Sequence, residues 1–438
     1  MFGTSGIRGP VGDQVTGALA LDLGRALGAT SDRVVVGRDV RESGDALARA
    51  AIAGIQEAGS NVIDVGVEST PTIARSVRPL DADAGLVVTA SHNPPADNGF
   101  KCWSRDASAF DADEIEALEA VMAESQRATV PADEMGTVRT VEHARADHRD
   151  RLPTDGLDAS VVVDVGTGTG QVTSEALRAG GCAVHTLDAD RDGRFPARPS
   201  EPTAETCGTL AALVGATDAD LGVAHDGDAD RMMAVDETGR FVSGDELLGV
   251  FASATPPGSS VAAPINASAL VEDVTDGAVV RTAVGDGAVA EATRQPEVAF
   301  GGEPSGAWIW PAETYCPDGH LAACRLVQLV TQGPSLAERV AALPSYATRR
   351  ASIECADKRA VMDAVEAGVR ERFDDVTDVD GVRVDLSDGW FLIRASGTQP
   401  LVRVTAEAET DARADAVFDE ARSIVEEAVE PPVIDGDD

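Results

Sequence analysis

The chain has 438 residues, enough for about three domains at roughly 150 residues each, so it buries several cores and is no short binding peptide or mini-scaffold. Its 75 acidic against 36 basic side chains leave a formal charge of −39, which repels polyanions and excludes nucleic acid and anionic membrane as partners. An apolar share of 43% and a charged share of 25% are those of a folded globular protein, so the acidity replaces basic residues and does not signal disorder.

Short β-branched runs recur, each closing in a polar or glycine-rich loop before a helix-like stretch. VVVGRD (34–39) precedes an amphipathic segment over 42–58, GLVVTASHNP (85–94) one over 113–122, and VVVDVGTGTG (161–170) one over 174–179. LGVAHDGDADR (221–231) leads into the hairpin-like MAVDETGRFV (233–242). The stretch 247–271 carries no charge but is broken at Pro256-Pro257-Gly258, which predicts helix, turn and strand instead of a membrane span. VAAPINAS (261–268) and VAFGGEPSG (298–306) complete a series of α/β units with mainly buried strands, whose ligands bind beyond the strands' carboxyl ends, so the loops should share a cleft. The last ninety or so residues read as an α+β module: helix Lys358–Arg372, strands VRVDL, WFLIRAS and LVRVTAE, helix Asp411–Val429, and a frayed tail PPVIDGDD. Lapses in periodicity near 137–158, 245 and 343–352 divide the chain into segments 1–145, 146–245, 246–345 and 346–438.

Only Lys101 and Lys358 are lysine, the other 34 basic residues being arginine. With abundant Asp, Glu, Ala and Val this points to a halophilic protein, whose acidic surface stays hydrated and screened in a salt-accumulating cytosol; a high-GC genome is the rival source of the bias. Six cysteines, at 102, 182, 207, 316, 324 and 355, form no CxxC pair and fit reduced thiols better than disulfides or zinc ligands. The opening MFGTSGIRGP shows neither a basic leader nor an apolar segment, so the expected location is cytoplasmic.

Five loops carry chemistry. In Thr-Ala-Ser-His-Asn-Pro (89–94) a serine on the turn after a buried strand exposes its hydroxyl near free backbone donors, as a nucleophile or phosphate carrier requires, and Lys101 follows ten residues later. In Asp-Gly-Asp-Ala-Asp-Arg (226–231) three alternate carboxylates converge on a hard divalent cation. With Glu237 they also match the ligand spacing of an EF-hand, a calcium-binding and non-catalytic alternative, but Arg231 stands where that loop needs glycine. DVGTGTG with Asp188 downstream is similar to the cofactor loop of an S-adenosylmethionine methyltransferase. Gly-Gly-Glu-Pro-Ser-Gly (301–306) offers one carboxylate and one hydroxyl on a flexed turn, suited to sugar hydroxyls. Arg-Ala-Ser-Gly-Thr-Gln-Pro (394–400), with Arg403 beyond it, combines guanidinium, hydroxyls and a backbone nest that suit a phosphate dianion.

Taken in order, GTSGIRG (3–9), TASHNP, DGDADR, GEPSG and RASGTQP resemble the motifs of the α-D-phosphohexomutase family from residue 3 to about 404. The resemblance implies three related α/β domains and a smaller C-terminal α+β domain around a central cleft, with DVGTGTG as part of the second domain's opening strand. It implies a phosphohexomutase interconverting hexose 6-phosphate and hexose 1-phosphate through a phosphoserine and a 1,6-bisphosphate, as monomer or homodimer. Ser91 matches the phosphoryl carrier; Asp226, Asp228 and Asp230 match the Mg²⁺ ligands, with a phosphoserine oxygen joining them. Lys101 and Arg231 match basic residues that flank the phosphoryl group or assist proton transfer, and Arg8 and His92 support the serine loop. Glu303 and Ser305 match sugar-hydroxyl readers, while Arg394, Ser396, Gly397, Thr398 and Arg403 match the clamp on the phosphate that stays put. FGTSGIRG and the SGT loop resemble the phosphoglucosamine mutase branch, with phosphomannomutase or phosphoglucomutase as the alternative. Ala283, Ala307 and Gln399 stand where relatives commonly carry lysine, histidine and glutamate.

Overall fold

The structure, a computed structural model, describes residues 3, 6–124, 129–396 and 400–429. Gly397, Thr398 and the tail PPVIDGDD expected to fray lie outside the described residues. Four sheets follow one another along the chain. The first contains β1 (Ile7–Pro10), β2 (Arg33–Arg38), β3 (Asn61–Val67), β4 (Ala84–Val88), β5 (Asp97–Ser104) and β6 (Val138–Thr140), in the order β1-β5-β4-β2-β3-β6. The second contains β7 (Ser160–Asp164), β8 (Ala183–Leu187), β9 (Leu221–His225), β10 (Met232–Asp236) and β11 (Phe241–Val242), in the order β11-β10-β9-β7-β8. The third contains β12 (Ser260–Pro264), β13 (Val279–Thr282), β14 (Val298–Glu303) and β15 (Ala307–Ile309), in the order β13-β12-β14-β15.

These three sheets are built alike, with a parallel centre and an antiparallel strand at one side: β2 pairs parallel with β3 and β4 while β5 runs against β4, β9 parallel to β7 but against β10, and β14 parallel to β12 but against β15. Parallel strands covered on both faces need continuous apolar runs, and β4, β9 and β12 are buried at every position. The sequence runs located β2, β4, β7, β9, β12 and β14 but not the parallel strands β3, β6, β8 and β13, and the charge-free stretch 247–271 resolves as expected into helix Gly244–Ser253, a turn and β12. Two expectations change. Lys101, expected ten residues beyond the serine turn with no strand assigned to it, sits in β5, whose polar start Asp97-Asn98-Gly99 hid a strand that is buried from Asn98 to Trp103. Gly301 to Glu303, read as a flexed turn, form the end of β14, so the turn itself is Pro304 to Gly306.

The fourth sheet is wholly antiparallel: β16 (Ala347–Glu354), β17 (Val376–Thr377), β18 (Val382–Leu386), β19 (Gly389–Ala395) and β20 (Leu401–Ala408), in the order β16-β20-β19-β18-β17. Val382, Val384, Phe391, Ile393, Val402 and Val404 form its inner face under helices Lys358–Arg372 and Asp411–Val429, which bury Val361, Val365 and Val369, and Val417, Ala421 and Val425. Each helix therefore contributes one stripe at four-residue spacing. Arg383 ties this unit to the third: its Nη1 donates to Ile265 O at 2.7 Å while its guanidinium lies 4.1 Å over the Trp390 ring.

Candidate active site

The loop between β4 and β5 and the loop between β9 and β10 meet at the strands' ends, as the doubly wound pattern demands. Ser91 is buried, and its Oγ donates to Asp226 Oδ2 at 2.7 Å across 135 residues of sequence. Its backbone is left-handed, with φ of 50°, a conformation that costs a non-glycine residue about 1 kcal/mol or more and needs support from its surroundings. The loop bearing Asp226, Asp228 and Asp230 has strands, not helices, on either side, which removes the EF-hand. These three carboxylates are the one group of possible metal ligands among the described residues, with ligand atoms within 4.8 Å of one another.

Lys101 Nζ reaches into this group from β5, donating to Asp228 Oδ2 at 2.8 Å and to Asp230 Oδ2 at 2.5 Å. Asp228 Oδ2 also accepts from Thr70 Oγ1 at 2.6 Å, and Asp226 Oδ1 from the Arg231 backbone at 3.2 Å. Burial and the two neighbouring carboxylates push Asp226 well above the usual carboxylate range. Burial also pushes Asp228 upward, but the Lys101 ammonium and the hydrogen bonds from Lys101 and Thr70 outweigh it and hold Asp228 below that range. Asp230 is raised by burial and by Asp228. Burial alone would discharge Lys101, yet Asp228 and Asp230 raise it, so it stays an ammonium. Asp228 Oδ1 and Asp230 Oδ1 are buried with no partner among the described residues. Three clustered carboxylates with two orphaned buried oxygens could hold a hard divalent cation, and the oxygen chemistry fits Mg²⁺.

Other expected residues surround this centre. Arg8, on β1 beside Gly99 of β5, and Arg231 both bear electrostatically on His92; burial and these cations lower its imidazole to about 3, so it is neutral at physiological pH. Arg231 bridges to Ala307, and its backbone-adjacent neighbour Met232 donates to Gly306 O at 2.9 Å, which brings the turn after β14 to the metal loop. Glu303 Oε2 accepts from Ser305 Oγ at 2.7 Å, and burial with the nearby Asp286 raises its carboxyl. Arg394 pairs with Asp380 at 3.2 Å, and the same Asp380 oxygen accepts from Val284 N at 3.1 Å, linking β19 to the third unit's VGD loop. Ser396 is buried, its carbonyl accepting from Lys358 Nζ at 2.6 Å, whereas Arg403, facing Arg394 across the β19–β20 ladder, is exposed.

The DVGTGTG segment supports the metal loop. Thr169 donates to Gly227 O from both N and Oγ1 at 3.1 Å, and a Cβ on Gly168 would lie 2.6 Å from that oxygen, so glycine there permits the close approach. Sequence reasoning also missed Thr70 and a buried network behind the loop. Thr173 Oγ1 lies 2.7 Å from His225 Nε2 and 2.8 Å from His320 Nδ1; His320 Nε2 lies 3.0 Å from Ser69 Oγ; His148 joins Thr72 to Asp318. Histidine at the end of the apolar run LGVAH was the one sequence signal of this network.

Four family models match the chain in order, namely the α/β/α domains I, II and III of phosphoglucomutase/phosphomannomutase over residues 1–129, 141–239 and 243–346, and its C-terminal domain over 352–424. The chain belongs to the phosphoglucomutase/phosphomannomutase family. As a member of this family of phosphohexomutases it is an isomerase. It is 45% identical to a probable phosphoglucosamine mutase of Methanopyrus kandleri over 98% of both chains, and 43% identical to one of Methanosarcina acetivorans over 98% of this chain and 99% of the other. A crystal structure of a phosphoglucomutase/phosphomannomutase family protein from Burkholderia thailandensis superposes with a TM-score of 0.86 at 28% identity, covering 98% of each chain. Family membership replaces the methyltransferase alternative for DVGTGTG.

Proposed function

We propose that this phosphohexomutase interconverts glucosamine 6-phosphate and glucosamine 1-phosphate, with Ser91 as a stored phosphoryl carrier. The observation that carries the reading is the placement of Ser91 Oγ 2.7 Å from Asp226 in a buried cluster of three carboxylates. The names of the relatives at 43–45% identity support glucosamine as the sugar.

Phosphoryl transfer needs in-line positioning and neutralised charge more than covalent chemistry. Mg²⁺, held by Asp226, Asp228, Asp230 and a phosphoserine oxygen, would supply that neutralisation together with Lys101 and Arg231. In the forward half-reaction the bond from phosphorus to Oγ of Ser91 breaks as one to the free sugar oxygen forms. The attacking hydroxyl loses its proton and Oγ takes one up, so no proton is gained or lost. The 1,6-bisphosphate turns over in the cleft, and Ser91 takes back the other phosphate by the reverse chemistry. Glu303 and Ser305 hold sugar hydroxyls in either orientation. Arg394, Ser396, Gly397, Thr398 and Arg403 clamp the phosphate that is not moving, while Arg8 and His92 support the serine loop. The acidic, arginine-rich composition supports a halophilic enzyme of a salt-rich cytoplasm.

A coupled isomerase assay with glucosamine, glucose and mannose phosphates, each primed with its 1,6-bisphosphate, tests the reading. Glucosamine phosphate is expected to give the highest kcat/KM, and preference for either other sugar overturns the substrate. Bisphosphate is expected to label the peptide bearing Ser91, and Ser91→Ala to stop isomerisation. An unlabelled Ser91 in an active enzyme overturns the mechanism.

A further inference from the structure

The serine loop is gripped from beneath by a side chain outside all five motifs. Arg41 follows β2, is fully buried, and uses every side-chain nitrogen. Its Nη2 donates to Ser91 O at 2.8 Å and Asn93 O at 2.6 Å, its Nη1 to Pro94 O at 2.6 Å and Asp97 O at 2.9 Å, and its Nε to Asp39 Oδ2 at 3.1 Å. Asp39, equally buried, accepts on that same oxygen from Thr89 Oγ1 at 2.6 Å, and Thr89 Oγ1 in turn accepts from Ser91 N at 2.9 Å. The Asp39–Arg41 pair thus holds both backbone groups of Ser91, the carbonyl directly and the amide through Thr89.

The grip extends to the metal loop. Ser91 O also accepts from Ser200 Oγ at 2.9 Å, and that hydroxyl accepts from Gly227 N at 3.0 Å. The Arg41 guanidinium lies 5.1 Å from the centroid of the Phe195 ring, and a Cβ on Gly227 would come within 3.0 Å of that ring's edge. Four carbonyls converge here on one planar fork, which a lysine ammonium with its single nitrogen could not span.

We infer that Arg41, with Asp39 and Thr89, is a positioning residue that holds Ser91 in its left-handed conformation so that Oγ stays aimed at the metal loop. Arg41 touches no substrate; it acts through the backbone of the residue that does. The inference rests on Ser91 being the phosphoryl carrier. A group displaced by about 1 Å costs on the order of a hundredfold in rate while leaving substrate recognition elsewhere untouched.

The test compares Arg41→Lys, Arg41→Ala and Thr89→Val with the wild type, reading kcat, KM for the monophosphate, and the rate at which bisphosphate labels Ser91. Circular dichroism and melting temperature report on folding. For Arg41→Lys a kcat about a hundredfold lower with KM within a few-fold is expected, and labelling slowed to match. Millimolar guanidinium should raise turnover of Arg41→Ala but not of the wild type, and methylammonium should do neither. A folded Arg41→Lys enzyme with kcat within about threefold of wild type overturns the inference. Should both Arg41 variants fail to fold, the near-isosteric Thr89→Val decides: slowed labelling restored by Thr89→Ser supports the clamp, and unchanged labelling refutes it. Wild-type enzyme is labelled in parallel. Its failure to take phosphate on Ser91 would strike the carrier reading, whereas normal wild-type labelling with unaffected variants strikes this inference alone.

Discussion

Replacing Asp228 by Asn separates the metal's contribution from that of the protein's own contacts. Asp228 Oδ2 accepts from Lys101 and Thr70, and Oδ1 has no partner among the described residues. The amide oxygen of Asn, in the place of Oδ2, still accepts from Thr70 and Lys101 but no longer as an anion, a loss of up to about 1.5–3 kcal/mol. Against this, Asp226 and Asp230 lose the repulsion that helps to raise them, so the metal-free variant should lie within about 1–2 kcal/mol of the wild type. Cation binding tells a different story. At a hundred times Kd, Mg²⁺ stabilises the folded state by about 2.7 kcal/mol; if the variant binds a hundredfold more weakly, the same concentration gives it about 0.4 kcal/mol. The Mg²⁺-dependent part of stability should therefore fall by about 2.3 kcal/mol. Turnover should drop at least a hundredfold, equivalent to about 2.7 kcal/mol of barrier. Denaturant titrations with Mg²⁺ and with chelator, in molar KCl, read the first quantity and the coupled assay the second. Equal Mg²⁺ stabilisation of both proteins, or near-normal wild-type activity in chelator, would refute the assignment of this loop as the cation site.

Three further outcomes follow from features elsewhere. With a net charge of −39, stability should rise from low salt toward molar KCl, where the screening length shrinks to about 3 Å; a flat or falling melting temperature removes the halophile reading and leaves the mutase intact. Burial lowers His225 to about 4 and holds His320 well below its ordinary value, whereas both titrate near 6.5 once unfolded. The unfolded chain then takes up protons that the folded one refuses, so with Mg²⁺ saturating, stability is full above about pH 6.5 and falls toward pH 4 by up to about 1.4 kcal/mol per pH unit per histidine. His92, lowered to about 3, adds the same contribution, so His320→Gln should remove about a third of that slope, and a flat profile between pH 6.5 and 5 refutes the assignment. Gly168→Ala should cost about 1–3 kcal/mol and weaken Mg²⁺ binding, because its Cβ would press on Gly227 O, while Gly208→Ala, which meets nothing within 4 Å, should be silent in both measurements.

What the sequence made legible depended on how local each signal was. Ser91 and the Asp226–Asp228–Asp230 set announced themselves because each lies on a short loop closing an apolar run, where polar residues have no packing role to play. β5 was hidden, since its first residues are those of a turn and its pairing with β1 and β4 is a tertiary fact. Arg41 and Thr70 were invisible for a related reason. An arginine after GRDV and a threonine at a helix start are ordinary locally, and acquire meaning only when carbonyls 50 to 56 residues away, or a carboxylate 158 residues away, fold against them. DVGTGTG misled in the opposite direction: a glycine pattern that suits a cofactor equally suits one loop lying close against another.

The scarcity of lysine has a chemical consequence for handling the enzyme. Of its two lysine side chains, Lys101 is buried between carboxylates, whereas Lys358 is half-buried and donates to the Ser396 carbonyl, so an acylating reagent meets one partly accessible lysine amine and one hidden one. Lys101 becomes nucleophilic only when Asp228 and Asp230 release it. Acylation of Lys101, read by peptide mass so that it is separated from Lys358, is thus a built-in clock for opening of the cleft, with far less background than a lysine-rich homologue would impose.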